Sequence, residues 1–178
     1  LTTVDASTPI LVVVLLNYPI GKVQRTTDHM MNPPRVMVAG TGGDSGKTLV
    51  TLGLISALCH KGITVAPFKK GPDYIDPAWL KIAAGRDTHN IDTWMMGVEN
   101  AIRSFTYYAE NEGINIIEAN RGLHDGEDFS GSHSSGELAK YLNCPVILVI
   151  PGVKVTRTVA AIALGMKSLD LDVNIAGV

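Results

Sequence analysis

Cysteine is scarce in this 178-residue chain, and the two present, Cys59 and Cys144, sit in the apolar contexts SALCHKG and NCPVILV. Two reduced, buried thiols exclude a disulfide framework and place the chain in the cytoplasm. An excess of either charge is missing too: net charge is -2, the isoelectric point is near 6.2, and no Lys/Arg stripe forms, so a nucleic-acid partner is not expected. No apolar run approaches the roughly twenty residues of a membrane span. The nearest, Pro9 to Ile20 (PILVVVLLNYPI), has no basic stretch before it and no A-x-A site after it, so neither a signal peptide nor a membrane partner is expected. The five histidines (His29, His60, His89, His124 and His133) show no ligand spacing, which argues against a metal site of their own. Internal repeats and low-complexity segments are lacking. The chain starts at Leu1 rather than a methionine, and Met30 or Met31 is read as the native start. Residues 1–29 are then an extension outside the functional unit, and residues 30–178 are one domain.

What is present suits a single α/β domain: 46% hydrophobic residues in a chain this long can bury a core unaided. From Arg35 onward, short β-branched apolar runs (RVMVA, ITVAPF, INIIEA, PVILVI, VNIAGV) alternate with stretches of helical spacing (TLVTLGLISALCHKG, PAWLKIAAG, ENAIRSFTYYAENEG, GELAKYL, VTRTVAAIALGMKSL). Near-continuous apolar strands are covered on both faces, so the pattern predicts a mostly parallel β-sheet flanked by helices, with ligands beyond the carboxyl ends of the strands.

Between the first strand and helix lies Gly40-Thr41-Gly42-Gly43-Asp44-Ser45-Gly46-Lys47-Thr48. In that context glycines let backbone N–H groups approach phosphates, Lys47 neutralises the β- and γ-phosphates, and Thr48 offers its hydroxyl to Mg²⁺. The nucleotide expected is ATP. The usual P-loop spacing would put glycine at Thr41; Gly40 stands one residue further out, a spacing seen in dethiobiotin synthetase-like and amidoligase P-loops. After the second strand, Lys69, Asp73 and Asp76 share the loop PFKKGPDYIDP. Two carboxylates and a lysine beside a triphosphate suit transfer of the γ-phosphoryl group to an acceptor, and Asp73 is also a metal candidate. Asp76-Pro77 further reads as a cap for the helix that follows. The third long strand ends in Glu118, where P-loop proteins hold Mg²⁺, and opens into a loop carrying Asp125. Asp125 is a candidate for the metal or acceptor site, although Asp-Gly is also a common turn pair. Ser134 and Glu137 have capping-box spacing. Lys154 and Arg157 flank a helix start and read as a solvated face.

Together, GTGGDSGKT, PFKKGPDYIDPAWL, HNIDTWMMG and IEANRGLHDG resemble the successive motifs of the cobyrinate a,c-diamide synthase family, in order and from about Arg35 to the end. The resemblance implies that ATP phosphorylates peripheral acetate groups of a tetrapyrrole and that ammonia displaces phosphate from the acyl phosphate. It puts Lys47 and Thr48 at the ATP and Mg²⁺ positions, and Asp73, Asp76, Glu118 and Asp125 at the acidic positions of metal binding and acceptor activation. Asn90, Asp92 and Trp94 match a motif facing the macrocycle. Ala119 and His124 depart from the usual Glu-Gly and Phe-Asp-Gly. Family members continue into a glutaminase domain that supplies ammonia, and neither Cys59 nor Cys144 has its nucleophile context. The chain is therefore read as the ATP-binding domain alone, with that domain as partner and a homodimer left open. The similar nickel-sirohydrochlorin a,c-diamide synthases are an alternative. Dethiobiotin synthetase-like chemistry would not predict the G-P-D-Y-I-D-P segment. A partition- or Min-type regulatory ATPase would carry a further lysine early in the P-loop, where Ala39 and Thr41 stand.

Overall fold

The computed structural model describes residues 32–178, so the extension read into residues 1–29 lies outside the described residues. Six strands form one parallel sheet: β1 (Arg35–Gly40), β2 (Val65–Lys70), β3 (His89–Ile91), β4 (Ile114–Gly122), β5 (Val146–Val149) and β6 (Ile175–Gly177). Their order across the sheet is β3-β2-β4-β1-β5-β6. The helices are α1 (Lys47–His60), α2 (Ile75–Ala84), α3 (Thr93–Met96), α4 (Val98–Tyr108), α5 (Ser135–Tyr141) and α6 (Thr158–Leu169).

Strand alternation explains why the runs look uniformly apolar. In β1, Met37 and Ala39 enter one core with Phe68, Ile117, Phe105 and Leu138, while Val38 enters the other with Ile55, Leu80 and Ile116. Both faces are therefore covered, one by α4 and α5, the other by α1 and α2. Phe68 and Phe105 anchor the first core with ring centroids 5.0 Å apart. Strand β1 is central, with β4 and β5 on its two sides, so the loop after β1 opens into the crevice where connections diverge to opposite edges.

Two elements were not expected from the sequence. β3 has three residues, two of them polar, and α3 has four, too few for either periodicity to register. Strand β4 also runs past the predicted apolar stretch to Gly122, with an irregularity: Val38 pairs with Glu118, but Gly40 pairs with Gly122. Two residues of β1 thus span four of β4, and the extra chain bulges at Ala119–Arg121.

Candidate functional site

The phosphate loop is shaped by close packing at its start and open space at its middle. A side chain at Gly40 would collide with Ser45 Oγ and crowd Lys47 Cγ at 3.1 Å. Gly46 enters α1 at φ 90°, a left-handed value that glycine adopts without strain. At Gly42 and Gly43, by contrast, an added carbon would meet nothing within 4 Å. Helix α1 begins with no side-chain cap and no acidic residue in its first turn, leaving its N–H groups and positive dipole end to an anion. Lys47 arches back over the loop, its Nζ donating to Gly42 O at 2.8 Å. Burial, and then the nearby charge of Lys69, lower its pKa.

Facing this loop is a network built on two neighbouring strands, β2 and β4, and joined by side chains from α1 and the start of α2. Lys69 and Glu118 are register partners in the β2–β4 ladder, which brings Lys69 Nζ to 2.9 Å from Glu118 Oε1. Thr48 Oγ1 donates to the same oxygen at 2.7 Å, and Lys69 also donates to Asp76 Oδ2 at 2.6 Å. Asp73 Oδ2 stands 3.7 Å from the Lys69 ammonium. Glu118 is 0% exposed and its other carboxylate oxygen, Oε2, has no partner among the described residues. Burial raises the Glu118 pKa despite the Lys69 charge. Burial also pushes Asp76 upward, but the hydrogen bond and charge of Lys69 outweigh it and leave the carboxyl below its ordinary value. For Lys69, burial is more than offset by Asp76 and Glu118, and its pKa is raised.

Gly43–Thr48, Lys69, Asp73, Asp76, Glu118, Ala119, Asn120 and Arg121 line a cleft of about 500 Å³. The structure thus gathers Asp44, Ser45, Gly46, Lys47, Thr48, Lys69, Asp73, Asp76 and Glu118, while Gly40, Thr41 and Gly42 form the approach to the loop. Asp125 does not line the cleft. It is exposed, and its Oδ2 accepts from Gly122 N at 2.9 Å, closing the turn after β4. The capping expectation for Asp76 is corrected: its carboxylate turns to Lys69, and Asp73 Oδ1 instead accepts from Ile75 N at 2.8 Å at the start of α2. Ser134 does cap α5, accepting from Glu137 N, while Glu137 reaches back to His133 N rather than to Ser134.

The HNIDTW segment mostly supports the loop beside it. Asn90 Nδ2 donates to Gly71 O and Asp73 O, and Asp92 caps α3 by accepting from Trp94 N and Met95 N. Of these three residues only Trp94 is turned outward, at 62% exposure. Lys154 and Arg157 are exposed and away from the cleft lining. Asn120 and Arg121 were missed by sequence reasoning. Their position just past Glu118, at the carboxyl end of a central strand, was the available signal.

Among the described residues no three His, Cys, Asp or Glu side chains are grouped to hold a metal by themselves. The donors fit a magnesium ion carried in with a nucleotide, which is held by few protein oxygens and completes its shell with phosphates and water. Thr48 keeps lone pairs for a cation while its proton goes to Glu118, and Glu118 Oε2 is buried and unshared.

A parallel sheet with a glycine-rich, uncapped strand-to-helix loop facing a buried lysine–carboxylate network defines a P-loop nucleotide-binding domain. The model of the CobQ/CobB/MinD/ParA nucleotide binding domain matches residues 36–178, and the chain belongs to that family. Curated cobyrinate a,c-diamide synthases are similar to it. That of Magnetococcus marinus is 46% identical over 132 residues, covering 74% of this chain and 28% of the relative. That of Dehalococcoides mccartyi is 42% identical over 151 residues, covering 83% and 32%. The chain therefore spans about a third of the length of these relatives. Among solved structures, a nucleotide-binding protein from Archaeoglobus fulgidus in complex with ADP superposes with TM-score 0.51 at 14% identity, over 79% of this chain and 63% of that one. Chloroplast FtsY from Physcomitrella patens gives 0.54 at 17%, over 78% and 47%. At these identities the likeness concerns the fold. No helix among the described residues is long and apolar enough to cross a membrane.

Proposed function

We propose that the chain is the synthetase domain of a cytoplasmic, glutamine-dependent amidoligase, which uses ATP to convert peripheral acetate carboxylates of a cobyrinate-type tetrapyrrole into amides. The observation that carries this reading is Glu118 Oε2, buried and unshared, beside an uncapped phosphate loop and within a network that also holds two further carboxylates. Supporting it is the 40–46% identity to named cobyrinate a,c-diamide synthases across most of the chain.

In this reading the α1 N-terminus and Lys47 hold the ATP phosphates. Thr48 and Glu118, with Asp73 at the rim, hold Mg²⁺ directly or through water. The metal supplies charge neutralisation at the γ-phosphate. An acceptor carboxylate oxygen attacks the γ-phosphorus and the bond to ADP breaks, giving an acyl phosphate. Ammonia, released from glutamine by a glutaminase domain, then attacks the carbonyl carbon, and phosphate leaves with the C–O bonding pair. Lys69 offsets the charge of two anions brought together, and Asp76 fixes the position of its ammonium. Asp125, at the edge of the same loop, joins the acceptor side if the turn that holds it opens on binding.

The test is ADP release with Mg²⁺, ATP and ammonium, with and without cobyrinate or nickel-sirohydrochlorin, followed by mass analysis for acid-to-amide conversion. Turnover that depends on cobyrinate supports the reading, and turnover that depends on nickel-sirohydrochlorin moves it to the related tetrapyrrole. Rapid hydrolysis indifferent to both would replace it with a regulatory ATPase.

A further inference from the structure

The cleft lining contains three cations, and two of them are committed. Lys47 is bonded within the phosphate loop, where the proposed function has it hold the ATP phosphates. Lys69 is held by Asp76 and Glu118, with Asp73 nearby. Arg121 is different: it lines the cleft, it is exposed, and among the described residues no carboxylate lies within ion-pair distance of it. Arg86 and Arg103, by contrast, are paired with Glu110 and Glu99.

The backbone has been bent to put Arg121 there. It occupies the bulge of β4 between Glu118 and Gly122, at φ 50°, a left-handed conformation that a residue with a Cβ adopts rarely. The bulge is pinned on every side. Asn120 Oδ1 accepts from Arg121 N, Ser135 Oγ donates to Asn120 O, Asp125 Oδ2 accepts from Gly122 N, and Leu123 N donates to Gly40 O. Gly71 has no side chain because Asn120 occupies that space. None of these bonds uses the guanidinium, so the contacts that hold the bulge leave that group available to the cleft.

From this geometry we infer that Arg121 is the acceptor-binding residue, its guanidinium taking a carboxylate of the substrate at the cleft mouth, opposite the nucleotide phosphates. A planar, permanently charged fork matches a carboxylate in a bidentate pair, which a lysine does not reproduce. An anionic acceptor approaching a triphosphate needs a cation to bind it as well as the shared charge of Lys69, and Arg121 is the lining cation with no carboxylate paired to it among the described residues. This inference rests on the amidation reading for the identity of the acceptor, while its geometry does not.

The experiment compares the wild-type chain with Arg121→Ala and Arg121→Lys. Calorimetry gives the affinity for ADP with Mg²⁺ and, on the ADP-loaded chain, the affinity for cobyrinate; a coupled assay with ammonium gives KM and kcat. The expected result is cobyrinate binding and KM weakened at least about tenfold in Arg121→Ala and only partly restored by Arg121→Lys, with ADP affinity unchanged. Loss of ADP affinity with unaltered cobyrinate affinity would overturn the assignment and make Arg121 a nucleotide contact. If wild type turns over cobyrinate and both variants keep its KM, Arg121 is overturned and the amidation reading stands. If wild type binds cobyrinate through Arg121 without converting it, the amidation reading fails and the assignment stands. Absence of any cobyrinate binding by wild type would overturn both.

Discussion

The regularly paired stretch of β4 ahead of its bulge, Ile114–Glu118, buries a polar side chain near each of its ends, and the two are treated in opposite ways. Near the amino-terminal end, Asn115 is 0% exposed and fully satisfied: its Nδ2 donates to Pro34 O and Glu110 O, and its Oδ1 accepts from Glu110 N. At the carboxyl end, Glu118 is equally buried but has an unshared oxygen and a carboxyl whose pKa burial has raised. A buried polar group normally finds its partners within the fold, because an unmet one costs about 1–3 kcal/mol. Asn115 staples the strand to its neighbours, whereas Glu118 is kept incomplete where the phosphate loop opens. Stability resides at one end of the strand and chemistry at the other.

The largest expected effect is at the chemical end. Glu118→Gln removes the charge at the unshared oxygen, and Mg²⁺-dependent ATP turnover should fall on the order of 100-fold. Stability, measured by urea unfolding, should change by less than about 1 kcal/mol because an incompletely compensated buried charge is lost as well. A large loss of stability with turnover retained would erase the distinction between the two ends.

Lys69→Met should be costly on both counts, because it leaves Asp76 and Glu118 facing each other without their cation. A destabilisation of about 3–5 kcal/mol is expected. The same variant sharpens the electrostatics. The depressed Asp76 pKa contributes stability that is present above its ordinary value of 3.8 and lost as pH falls through the lower folded value. The raised Lys69 pKa contributes stability that is complete below its ordinary 10.5 and lost as pH rises through the folded value. Glu118 acts in the opposite sense to Asp76, costing stability as pH rises above its ordinary 4.5. Urea unfolding followed across pH should therefore show an acid limb from Asp76 that becomes shallower in Lys69→Met.

Much of this arrangement was legible from residue types and spacing. The strand–loop–helix pattern around Gly40–Thr48 placed the phosphate loop, and an acid ending an apolar strand singled out Glu118. Alternating apolar runs gave the parallel sheet, and the family model and the strand pairing agree with it. What stayed hidden depends on pairing across the sheet. That Lys69 and Glu118 are register partners follows from pairing between residues 49 apart in sequence, and the bulge that presents Arg121 follows from the pairing of β4 with β1; no local pattern carries either. The exchange of roles between Asp73 and Asp76 was invisible for a related reason. Both lie within one turn of the start of α2, and only the position of Lys69 decides that Asp76 is its close partner while Asp73, 3.7 Å from it, also accepts from Ile75 N. His89–Ile91 and Thr93–Met96 were too short to show a period.

Asn115→Ala probes the other end. It unmakes three hydrogen bonds to buried or half-buried backbone, and a loss of about 1–3 kcal/mol is expected by urea unfolding, with ADP affinity of the folded chain unchanged. A change in nucleotide affinity comparable to that of Glu118→Gln would show that both ends serve the site.

The smallest effect tests how tightly the stable end is closed. Cys144 precedes β5 on that edge, is 2% exposed, and has its thiol pushed up to about 12 by burial. In the folded chain at neutral pH a thiol reagent should label the half-buried Cys59 first and leave Cys144 unmodified until urea opens the core, as peptide mass mapping would record. Early labelling of Cys144 would mean that this edge opens locally.

The division of labour along β4 is tested most directly by titrating ADP into wild type and Glu118→Gln, each with and without Mg²⁺. If Glu118 Oε2 is reserved for the nucleotide's metal, Mg²⁺ tightens binding to wild type by about 10-fold or more, and Glu118→Gln loses that gain while keeping its metal-free affinity. An equal Mg²⁺ effect in both proteins would contradict it, leaving the unshared oxygen without a role at the site.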